Sequence, residues 1–433
     1  MLSVEKLRDL GPARKKEILS RSSVSFPNVL KETVQILERL RADPISEALR
    51  EYGPARKNLT PSDFKVTEEE KESALKSLDP ALKDALQRAA ANIESFHRGI
   101  LDPPLRYAAS PQGTVLGKIT RPIGRVGVYI PGGRAPYPSS ALMNVIPAKV
   151  AGVPLIVAAT PPGPDFAARP EIVAAAVIAG ATDIYKLGGA WAIGAMAYGL
   201  IGVPKVDKIV GPGSSWVTAA KMAVFGEVDI DAPAGPSEGF IVSDGSAPRA
   251  FILWDFLAQL EHDPQAAAAL VTTSADEALY LERAVAAMTP KLARGNIVRE
   301  SLGNAALLLA DDLDECFEFA NLYAPEHLQI SVKNASQYLD RVQSAGSIFL
   351  GHFSPIAAGD YATGPNHVLP TGGHARAFSG LSAESFQKKI SFQEVSREGL
   401  ELLARAVTTI ATAEGLECHA KSVSVRLAKD GDE

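Results

Sequence analysis

The chain has 433 residues, 46% of them hydrophobic and 22% charged, which is an ordinary composition for a globular protein. A chain of this length predicts two to three domains. Its formal net charge of −6 argues against a nucleic-acid-binding protein, because such proteins usually present a basic surface. The two cysteines, Cys316 and Cys418, are too few for a thiolate zinc cluster or a disulfide framework, and they favour a reducing compartment.

The amino-terminal residues MLSVEKLRDLG are charged and amphipathic, unlike a signal peptide. The stretch from Leu187 to Pro204 runs 18 residues without a charge, which is close to the length of a short membrane span. Its Gly and Ala content and the strand-like segments on both sides favour a buried helix of an α/β domain. We therefore expect a cytoplasmic protein that has neither a membrane nor a nucleic acid as a partner.

Residues 1–105 are predicted to be a helical segment. Apolar residues recur at 3.6-residue spacing in VLKETVQILERLRADPISEALREY and again in LKDALQRAAANIESFHRG. This segment carries few polar residues that suggest chemistry.

From Val126 to residue 234, short β-branched runs alternate with Ala-rich runs. VGVYI, PLIVAAT, DIYKL and DKIVG are predicted as strands and the runs between them as helices, which indicates βαβ units around a buried parallel sheet. The alternation resumes over residues 235–377, so we expect an α/β protein with two successive lobes. The tail, 378–433, is predicted to be helical, from SAESFQKKISFQEVS through REGLELLARAVTTIATAEGLECH, and its amphipathic pattern predicts docking on its own chain or on a neighbour.

Ligands of open α/β sheets bind at the carboxyl ends of the strands, so the strand-to-helix corners are the first places to search. Tyr129-Ile-Pro-Gly-Gly-Arg and Gly211-Pro-Gly-Ser-Ser-Trp216 are glycine-rich corners, and the second stands where a helix start would bind a phosphate. Ala234-Gly-Pro-Ser-Glu238 is a third, short and polar. A plain tight turn explains each corner equally well.

Histidines are scarce and therefore informative. The seven are His97, His262, His327, His352, His367, His374 and His419. Gln259 and His262 are three residues apart on a predicted helix and share one face.

Four further polar residues join these two. Glu326 and His327 follow Ala-Pro at a predicted helix-to-strand junction, Asp360 falls in a segment without helical or strand pattern, and His419 closes the tail helix. Zinc without cysteine needs three or four N or O ligands, which Gln259, His262, Asp360 and His419 would supply. For any single one of these residues, a surface or core-edge position is the alternative interpretation.

At these residues the sequence resembles the histidinol dehydrogenase family. The matching stretches are VGVYIPGGRAPYPSSALMNVIPAKVAGV, VDKIVGPG, DAPAGPSE, LAQLEHD, YAPEHL, GSIFLG, AGDYATGPNHVLPTGG and AEGLECHA. They run in the family's order from about Val126 to His419. Motifs of this length are very unlikely to coincide by chance.

The resemblance implies a homodimer with one Zn²⁺ per subunit that oxidises L-histidinol to L-histidine with two NAD and one water. It implies two incomplete Rossmann-like lobes with parallel sheets: 126–234 would bind NAD, and 106–125 with 235–377 would carry most metal and catalytic residues. Residues 1–105 and 378–433 would be helical terminal segments, the latter exchanged in the dimer.

The family's site residues match positions of this chain one by one. Zinc ligands match Gln259, His262, Asp360 and His419; the proton-accepting pair matches Glu326 and His327; and Tyr129 matches a contact to NAD. Substrate-binding positions match Ser237, Gln259, His262, His327, Asp360, Glu414 and His419. The implied chemistry has zinc orienting the substrate, His327 taking the alcohol proton as hydride leaves to NAD, and Glu326 activating water for attack on the aldehyde.

The match departs from the family pattern at two positions associated with NAD. Trp191 stands where the family usually has Gln after Gly-Gly-Ala, and Ser214 stands where it usually has Asn after Gly-Pro-Gly. The Phe-Asp-Gly that usually follows the first long helix is also replaced, by YGPARKNLTP. Two alternatives therefore stay open: a zinc- and NAD-dependent dehydrogenase of another small polar alcohol, such as a sulfopropanediol, and a metal-binding protein without NAD turnover.

Overall fold

A computed structural model describes residues 2–21, 26–52, 59–132, 136–232 and 234–428. The strands are β1 Val4–Lys6, β2 Leu105–Ala108, β3 Thr114–Pro122, β4 Arg125–Tyr129, β5 Leu155–Thr160, β6 Asp183–Lys186, β7 Lys208–Val210, β8 Asp229–Ile230, β9 Glu238–Ser243, β10 Ala267–Thr272, β11 Ala305–Leu309, β12 His327–Ser331, β13 Ser347–Leu350 and β14 Gln387–Val395. The α-helices are α1 Pro12–Ser20, α2 Phe26–Ala42, α3 Pro44–Tyr52, α4 Glu68–Ser77, α5 Pro80–Gly99, α6 Pro138–Val150, α7 Pro170–Ala179, α8 Gly189–Tyr198, α9 Ser215–Val224, α10 Arg249–Leu260, α11 Ala275–Met288, α12 Gly295–Ser301, α13 Leu313–Tyr323, α14 Ile356–Tyr361, α15 Arg397–Ala413 and α16 Glu417–Leu427.

The helices and strands form two compact units. The first contains residues up to 100 together with 124–386, and the second contains 101–123 together with the described residues from 387 onwards. The predicted α/β class is confirmed by the parallel sheets of the first unit. The division of the chain into lobes at residues 125, 234 and 377 stays a prediction.

A five-stranded parallel sheet occupies the middle of the first unit, in the order β6-β5-β4-β7-β8. Its strands are buried and rich in Val, Ile and Ala, as expected of a sheet that has helices on both faces. Helix α6 packs against α7, and α8 packs against α9. The chain winds outward from β4 through β5 to β6 and then returns to β7, so the strand order reverses between β4 and β7.

Helix α8 lies within the charge-free segment from Leu187 to Pro204, which resembled a membrane span. It is a ten-residue helix with a nearly continuous buried surface, as the sequence predicts. Gly194 lets α2 pack closely on it, because a Cβ at that position would lie 2.7 Å from a Leu40 methyl carbon. No helix in the described ranges is long and apolar enough to cross a membrane.

A second parallel sheet has six strands in the order β1-β11-β10-β9-β12-β13. All neighbouring strands in it are parallel, and β9 and β12 are paired with His327 opposite Gly239. The edge strand β1, Val4–Lys6, comes from the amino-terminal segment, where the sequence predicted helix. The rest of that segment is mainly helical as predicted, in α1 to α5.

The second unit contains a three-stranded antiparallel sheet, β14-β3-β2, and the helix pair α15 and α16. The prediction of a helix over SAESFQKKISFQEVS is wrong, because Gln387–Val395 is strand β14 paired along its length with β3. Ile390 and Phe392 alternate with polar residues at the two-residue period of a strand. Phe392 also fits over Gly117 of β3, where a Cβ would lie 2.4 Å from its ring.

The glycine-rich corner after β7 is held by a buried ion pair. The ammonium group of Lys221 donates to the carbonyl oxygen of Gly211 at 2.9 Å and pairs with Asp231, and the side chains of both charged residues are almost fully buried. The second carboxylate oxygen of Asp231 accepts the N–H of Gly211 at 2.8 Å. Both backbone groups of Gly211 are therefore fixed by one charged pair.

Replacing Lys221 by Met removes this pair but leaves the Asp231 carboxylate buried and unpaired. We expect the change to cost about 3–5 kcal/mol of stability and to lower the melting temperature of the purified protein. Lys76→Met is the matched control, because the Lys76–Glu72 pair is exposed and such pairs contribute about 0–1 kcal/mol. Equal melting temperatures of the two variants would contradict the assigned role.

Candidate active site

Two carboxylates lie side by side at the amino end of the six-stranded sheet. Glu238 is the first residue of β9, and Glu326 immediately precedes β12. Because His327 pairs with Gly239 in register, Glu326 comes beside Glu238. The expectation that site residues gather at carboxyl ends of strands is therefore wrong for this sheet.

Glu326 and Glu238 are joined by two hydrogen bonds. The backbone N–H of Glu238 donates to Glu326 Oε2 at 2.8 Å, and the N–H of Glu326 donates to Glu238 Oε1 at 3.2 Å. Both residues are buried, and burial raises the pKa of the Glu326 carboxyl well above its usual value. A carboxylate with a raised pKa is a stronger base than an exposed one, which suits it to accept a proton from water.

His327 contacts three oxygen acceptors. Its Nδ1 lies 3.2 Å from the carbonyl oxygen of Glu238 and 3.6 Å from Glu326 Oε2, and its Nε2 lies 3.3 Å from Asp360 Oδ1. Burial lowers the pKa of the ring, but the Glu326 and Asp360 carboxylates outweigh burial and raise the pKa above its ordinary value. The ring is thus oriented by one carbonyl and made more basic by two carboxylates.

Gln259 lies on the last turn of α10 and is almost completely buried. Its Nε2 has no hydrogen-bond partner among the described residues, which is unusual for a buried amide. The space for this side chain comes from Gly239, because a Cβ there would lie 2.8 Å from Gln259 Cγ. Gln259 is therefore next to the strand residue that pairs with His327.

His262 lies two residues beyond the end of α10, so the prediction that it shares the helix with Gln259 is wrong in detail. Burial lowers the pKa of its ring, which favours the neutral form. Asp360 interacts electrostatically with this ring and with His327. Although burial opposes ionisation, the histidines around Asp360 hold the pKa of its carboxyl below the usual value.

Asp360 is the fifth residue of the short helix α14, so the prediction of a segment without helical structure is wrong. Six residues are too few to show a 3.6-residue period. The helix lies close to β13, since a Cβ at Gly359 would lie 2.4 Å from the ring of Phe349.

Sequence reasoning did not select His367, which lies beside Asp360. Its Nδ1 is 2.7 Å from the carbonyl oxygen of Asp360. A cavity of about 210 Å³ is lined by Phe349, Asn366 and His367 together with His327 and Asp360. The signal was present in the motif GPNHVLP, but nothing in the residue spacing ties His367 to the other polar positions.

Ser237 directly precedes β9 and is half-buried, with its carbonyl oxygen accepting the N–H of Ala267 at 3.1 Å. Glu414 and His419 belong to the second unit. Both are exposed, Glu414 at the end of α15 and His419 in the first turn of α16, separated by the turn at Gly415. The structure thus brings together Ser237, Gln259, His262, Glu326, His327 and Asp360 within one unit.

The carboxyl end of the five-stranded sheet presents a different set of groups. Tyr129 ends β4 and is buried, and its hydroxyl oxygen accepts the N–H of Gly189 at 3.2 Å. Gly211 follows β7 and passes so close to β4 that a Cβ would lie 2.1 Å from the carbonyl oxygen of Tyr129. This is the crevice at which the strand order reverses, where dinucleotides bind in folds of this kind.

Two helices begin at this crevice without side-chain caps. Helix α8 starts after Gly188 and α9 starts after Ser214, and neither residue's side chain caps its helix. Uncapped N–H groups at a helix start are suited to an anion such as a phosphate. Trp191, in the first turn of α8, packs edge-on against Tyr52 with ring centroids 6.4 Å apart, rather than extending into solvent.

The donors present fit a zinc ion. Over the described residues, no group of three or more His, Cys, Asp or Glu side chains is in position to hold a metal, so a site here requires the Gln259 amide and a further ligand. The lowered pKa values of the His262 ring and the Asp360 carboxyl favour the neutral imidazole and the carboxylate that zinc binds, and the buried Gln259 amide would coordinate through its oxygen. N and O donors are also the ligands that zinc accepts when cysteine is absent.

The chain is similar to known proteins over nearly its whole length. The sequence model of the family described as histidinol dehydrogenase matches residues 19–427. The chain is 46% identical to the histidinol dehydrogenase of Methanosarcina barkeri and 47% identical to that of Methanothermobacter thermautotrophicus, with 98% of this chain and at least 98% of each relative covered. A crystal structure of histidinol dehydrogenase from Elizabethkingia anophelis superposes with a TM-score of 0.93 at 36% identity and covers 98% of both chains.

Replacing Asp360 by Asn removes the one carboxylate from the candidate zinc ligands of the first unit. Loss of a residue that only hydrogen-bonds to a metal ligand lowers metal affinity roughly 10–100-fold. We therefore expect loss of a ligand itself to lower zinc affinity by more than this. The measurement is zinc per protein after gel filtration, by mass spectrometry of the metal. His352→Asn is the control, since its ring contacts Ser246 and Ser331 at the other end of the sheet; unchanged zinc in both variants would contradict the site.

Proposed function

Because the chain belongs to the histidinol dehydrogenase family, we propose that it oxidises L-histidinol to L-histidine through the aldehyde, using two NAD and one water. The observation that supports this most directly is the buried pair Glu326 and His327, two proton acceptors held side by side next to Asp360. Two bases suit a reaction with two proton-removing steps. NAD accepts the hydride of each oxidation, and Zn²⁺, when bound, orients the substrate and polarises its oxygen.

In the first oxidation, His327 is the base for the alcohol proton. Its Nδ1 is directed at the carbonyl oxygen of Glu238, which favours the tautomer with a proton on Nδ1. Nε2, which lies 3.3 Å from Asp360 Oδ1, is then the nitrogen that accepts the proton, on the side that lines the cavity with Asp360 and His367. The neighbouring carboxylates stabilise the imidazolium that forms.

In the second oxidation, Glu326 is the base for water. The water oxygen bonds to the aldehyde carbon, and its proton passes to the Glu326 carboxylate. The hydrate anion then loses its hydride, which the second NAD would accept, and the resulting carboxylic acid releases a proton to give the carboxylate. Burial favours proton uptake by Glu326, because the protonated form needs no solvation of charge.

We assign the zinc ligands to Gln259, His262, Asp360 and His419, and Tyr129 to the cofactor region. The four zinc ligands and His327 are also assigned as substrate contacts. The remaining substrate contacts are assigned to Ser237 and Glu414. Histidinol carries an imidazole and an amine, nitrogen donors that a zinc ion with N and O ligands accepts.

We further propose a cytoplasmic homodimer in which Glu414 and His419 reach the site of the neighbouring subunit. Supporting this, the second unit has exposed apolar side chains on α15 and α16, including Leu402, Ile410 and Val425. Single exposed apolar residues are common, but several on one pair of helices indicate a contact surface. In a symmetric dimer each subunit would contribute its Glu414 and His419 to the site of the other.

The assay of the proposed activity follows NADH absorbance with zinc, NAD and L-histidinol. We expect turnover by the native chain and a loss of about 10²–10⁴-fold in kcat in Glu326→Gln and in His327→Asn. Undiminished rates in both variants would rule out the assigned roles. Turnover with another small polar alcohol but none with histidinol would favour a relative with a different substrate, and zinc binding without any turnover would favour a metal-binding protein.

Mixing two inactive variants tests the exchange between subunits. His327→Asn and His419→Asn, refolded or co-expressed together, would form heterodimers in which one site carries both changes and the other carries neither. We expect about a quarter of the native activity to return in the mixture. No regain of activity from the mixture, with heterodimers verified by tag pull-down, would place both residues in the site of one chain.

A further inference from the structure

Glu238 carries no assigned role, yet it is the most constrained carboxylate beside the catalytic pair. It forms an ion pair with Arg21, with Arg21 Nε 2.7 Å from Glu238 Oε2 and only 3% of each side chain exposed. Arg21 Nη2 donates to Glu238 Oε1 at 2.8 Å. Arg21 therefore contacts both carboxylate oxygens, by a hydrogen bond from Nη2 to Oε1 and by a close ion pair between Nε and Oε2.

Arg21 also holds the chain that leads to the catalytic pair. Its Nη2 donates to the carbonyl oxygens of Tyr323 at 2.7 Å and Ala324 at 3.3 Å, where α13 ends, and the guanidinium stacks 3.5 Å from the centre of the Tyr323 ring. A cation at a helix carboxyl end is favoured by the free carbonyl groups there. Glu326 follows Ala324 by two residues. Arg21 therefore contacts both the chain that leads to Glu326 and the Glu238 side chain that accepts the N–H of Glu326.

The backbone of Arg21 supports a role in positioning. Arg21 has a φ of +47°, in the left-handed region that residues other than glycine rarely adopt. Such a conformation costs about 1–3 kcal/mol and persists only where surrounding contacts hold it. Here those contacts are the four acceptors of the guanidinium: Leu19, Glu238, Tyr323 and Ala324.

We propose that Arg21 and Glu238 are positioning residues for Glu326, and that they act on the water step of the second oxidation. The inference rests on the proposed function. Glu238 Oε1 accepts the N–H of Glu326, so the Glu238 side chain sets the start of the Glu326 main chain. His327 contacts the backbone carbonyl oxygen of Glu238 and not its side chain, so a change of that side chain leaves this contact of the ring in place.

A positioning role predicts loss of one of the two proton-transfer steps, whereas a loss of stability would lower both. A buried ion pair is a weak stabiliser, because desolvation of both charges offsets their attraction. Its main consequence is the geometry it imposes, and a misplacement of about 1 Å at a reacting group costs roughly 100-fold in rate. Changing the Glu238 side chain should therefore affect the step that uses Glu326 and spare the step that uses His327.

The first experiment uses Glu238→Gln in the full-length zinc-loaded protein. We expect the first hydride transfer from L-histidinol, measured by stopped-flow NADH formation, to stay within about twofold of native, while turnover of L-histidinaldehyde falls about 10–100-fold. Zinc content and the KM for L-histidinol should not change. An equal loss at both steps, or no loss at either, would overturn the proposal.

The second experiment separates this role from folding. Arg21→Met leaves Glu238 buried and unpaired and should lower the melting temperature, whereas Arg21→Met with Glu238→Gln removes both charges and should restore it. We expect the double variant to regain stability without regaining aldehyde turnover. Recovery of both would show a structural role only, and would overturn the proposal.

Arg14→Met is the matched control, because Arg14 lies in the same amino-terminal segment and pairs with Glu5 at a half-exposed position. It should leave both steps unchanged. Absence of NADH formation from L-histidinol by the native chain would overturn the proposed function itself, a result distinct from loss of one step in the variants.

Discussion

The active-site arrangement depends on the parallel pairing of β9 with β12, which brings Glu238 and Glu326 together at one buried edge. Two adjacent buried carboxylates repel each other and resist ionisation. Arg21 and two backbone N–H groups compensate the charge at this edge. Burial raises the pKa of both carboxyls, and only at Glu238 does the Arg21 guanidinium oppose that rise, so two chemically identical groups stand in different electrostatic surroundings.

The two parallel sheets present opposite ends to chemistry. In the five-stranded sheet the carboxyl ends of β4 and β7 form the crevice at the reversal of strand order, with two uncapped helix starts beside it. In the six-stranded sheet the amino ends of β9 and β12 carry Glu238, Glu326 and His327. The end of α10 and helix α14 bring Gln259, His262 and Asp360 to the same edge. The first arrangement uses main-chain dipoles that suit phosphate, and the second uses side chains that suit zinc and proton transfer. One fold pattern, used twice, thus supplies two kinds of site.

Periodicity and composition predicted most of the first unit, because buried parallel strands and Ala-rich helices leave strong local patterns. The same reasoning failed where a partner strand decides the structure: Gln387–Val395 pairs with β3, and its two-residue alternation was too short to outweigh the helical pattern around it. Asp360 lies beside His327, but in a short helix that the sequence did not predict. Arg21 gave no signal at all, since its role arises from contacts with residues about 220 and 300 positions away, which local spacing does not reveal.

The two departures from the family pattern concern side chains, whereas the groups that face the crevice at those points belong to the main chain. Ser214 does not cap α9, and Trp191 packs against Tyr52, so neither of these two side chains occupies the N–H groups at the helix starts. A phosphate bound there would be held by backbone N–H groups, which are present whatever side chain stands at residues 191 and 214. Tyr52 reinforces this by bonding to both backbone groups of Gly188, and the Tyr129 hydroxyl accepts from Gly189. The turn that starts α8 is thus fixed by two tyrosines, and its geometry does not depend on an amide at residue 191.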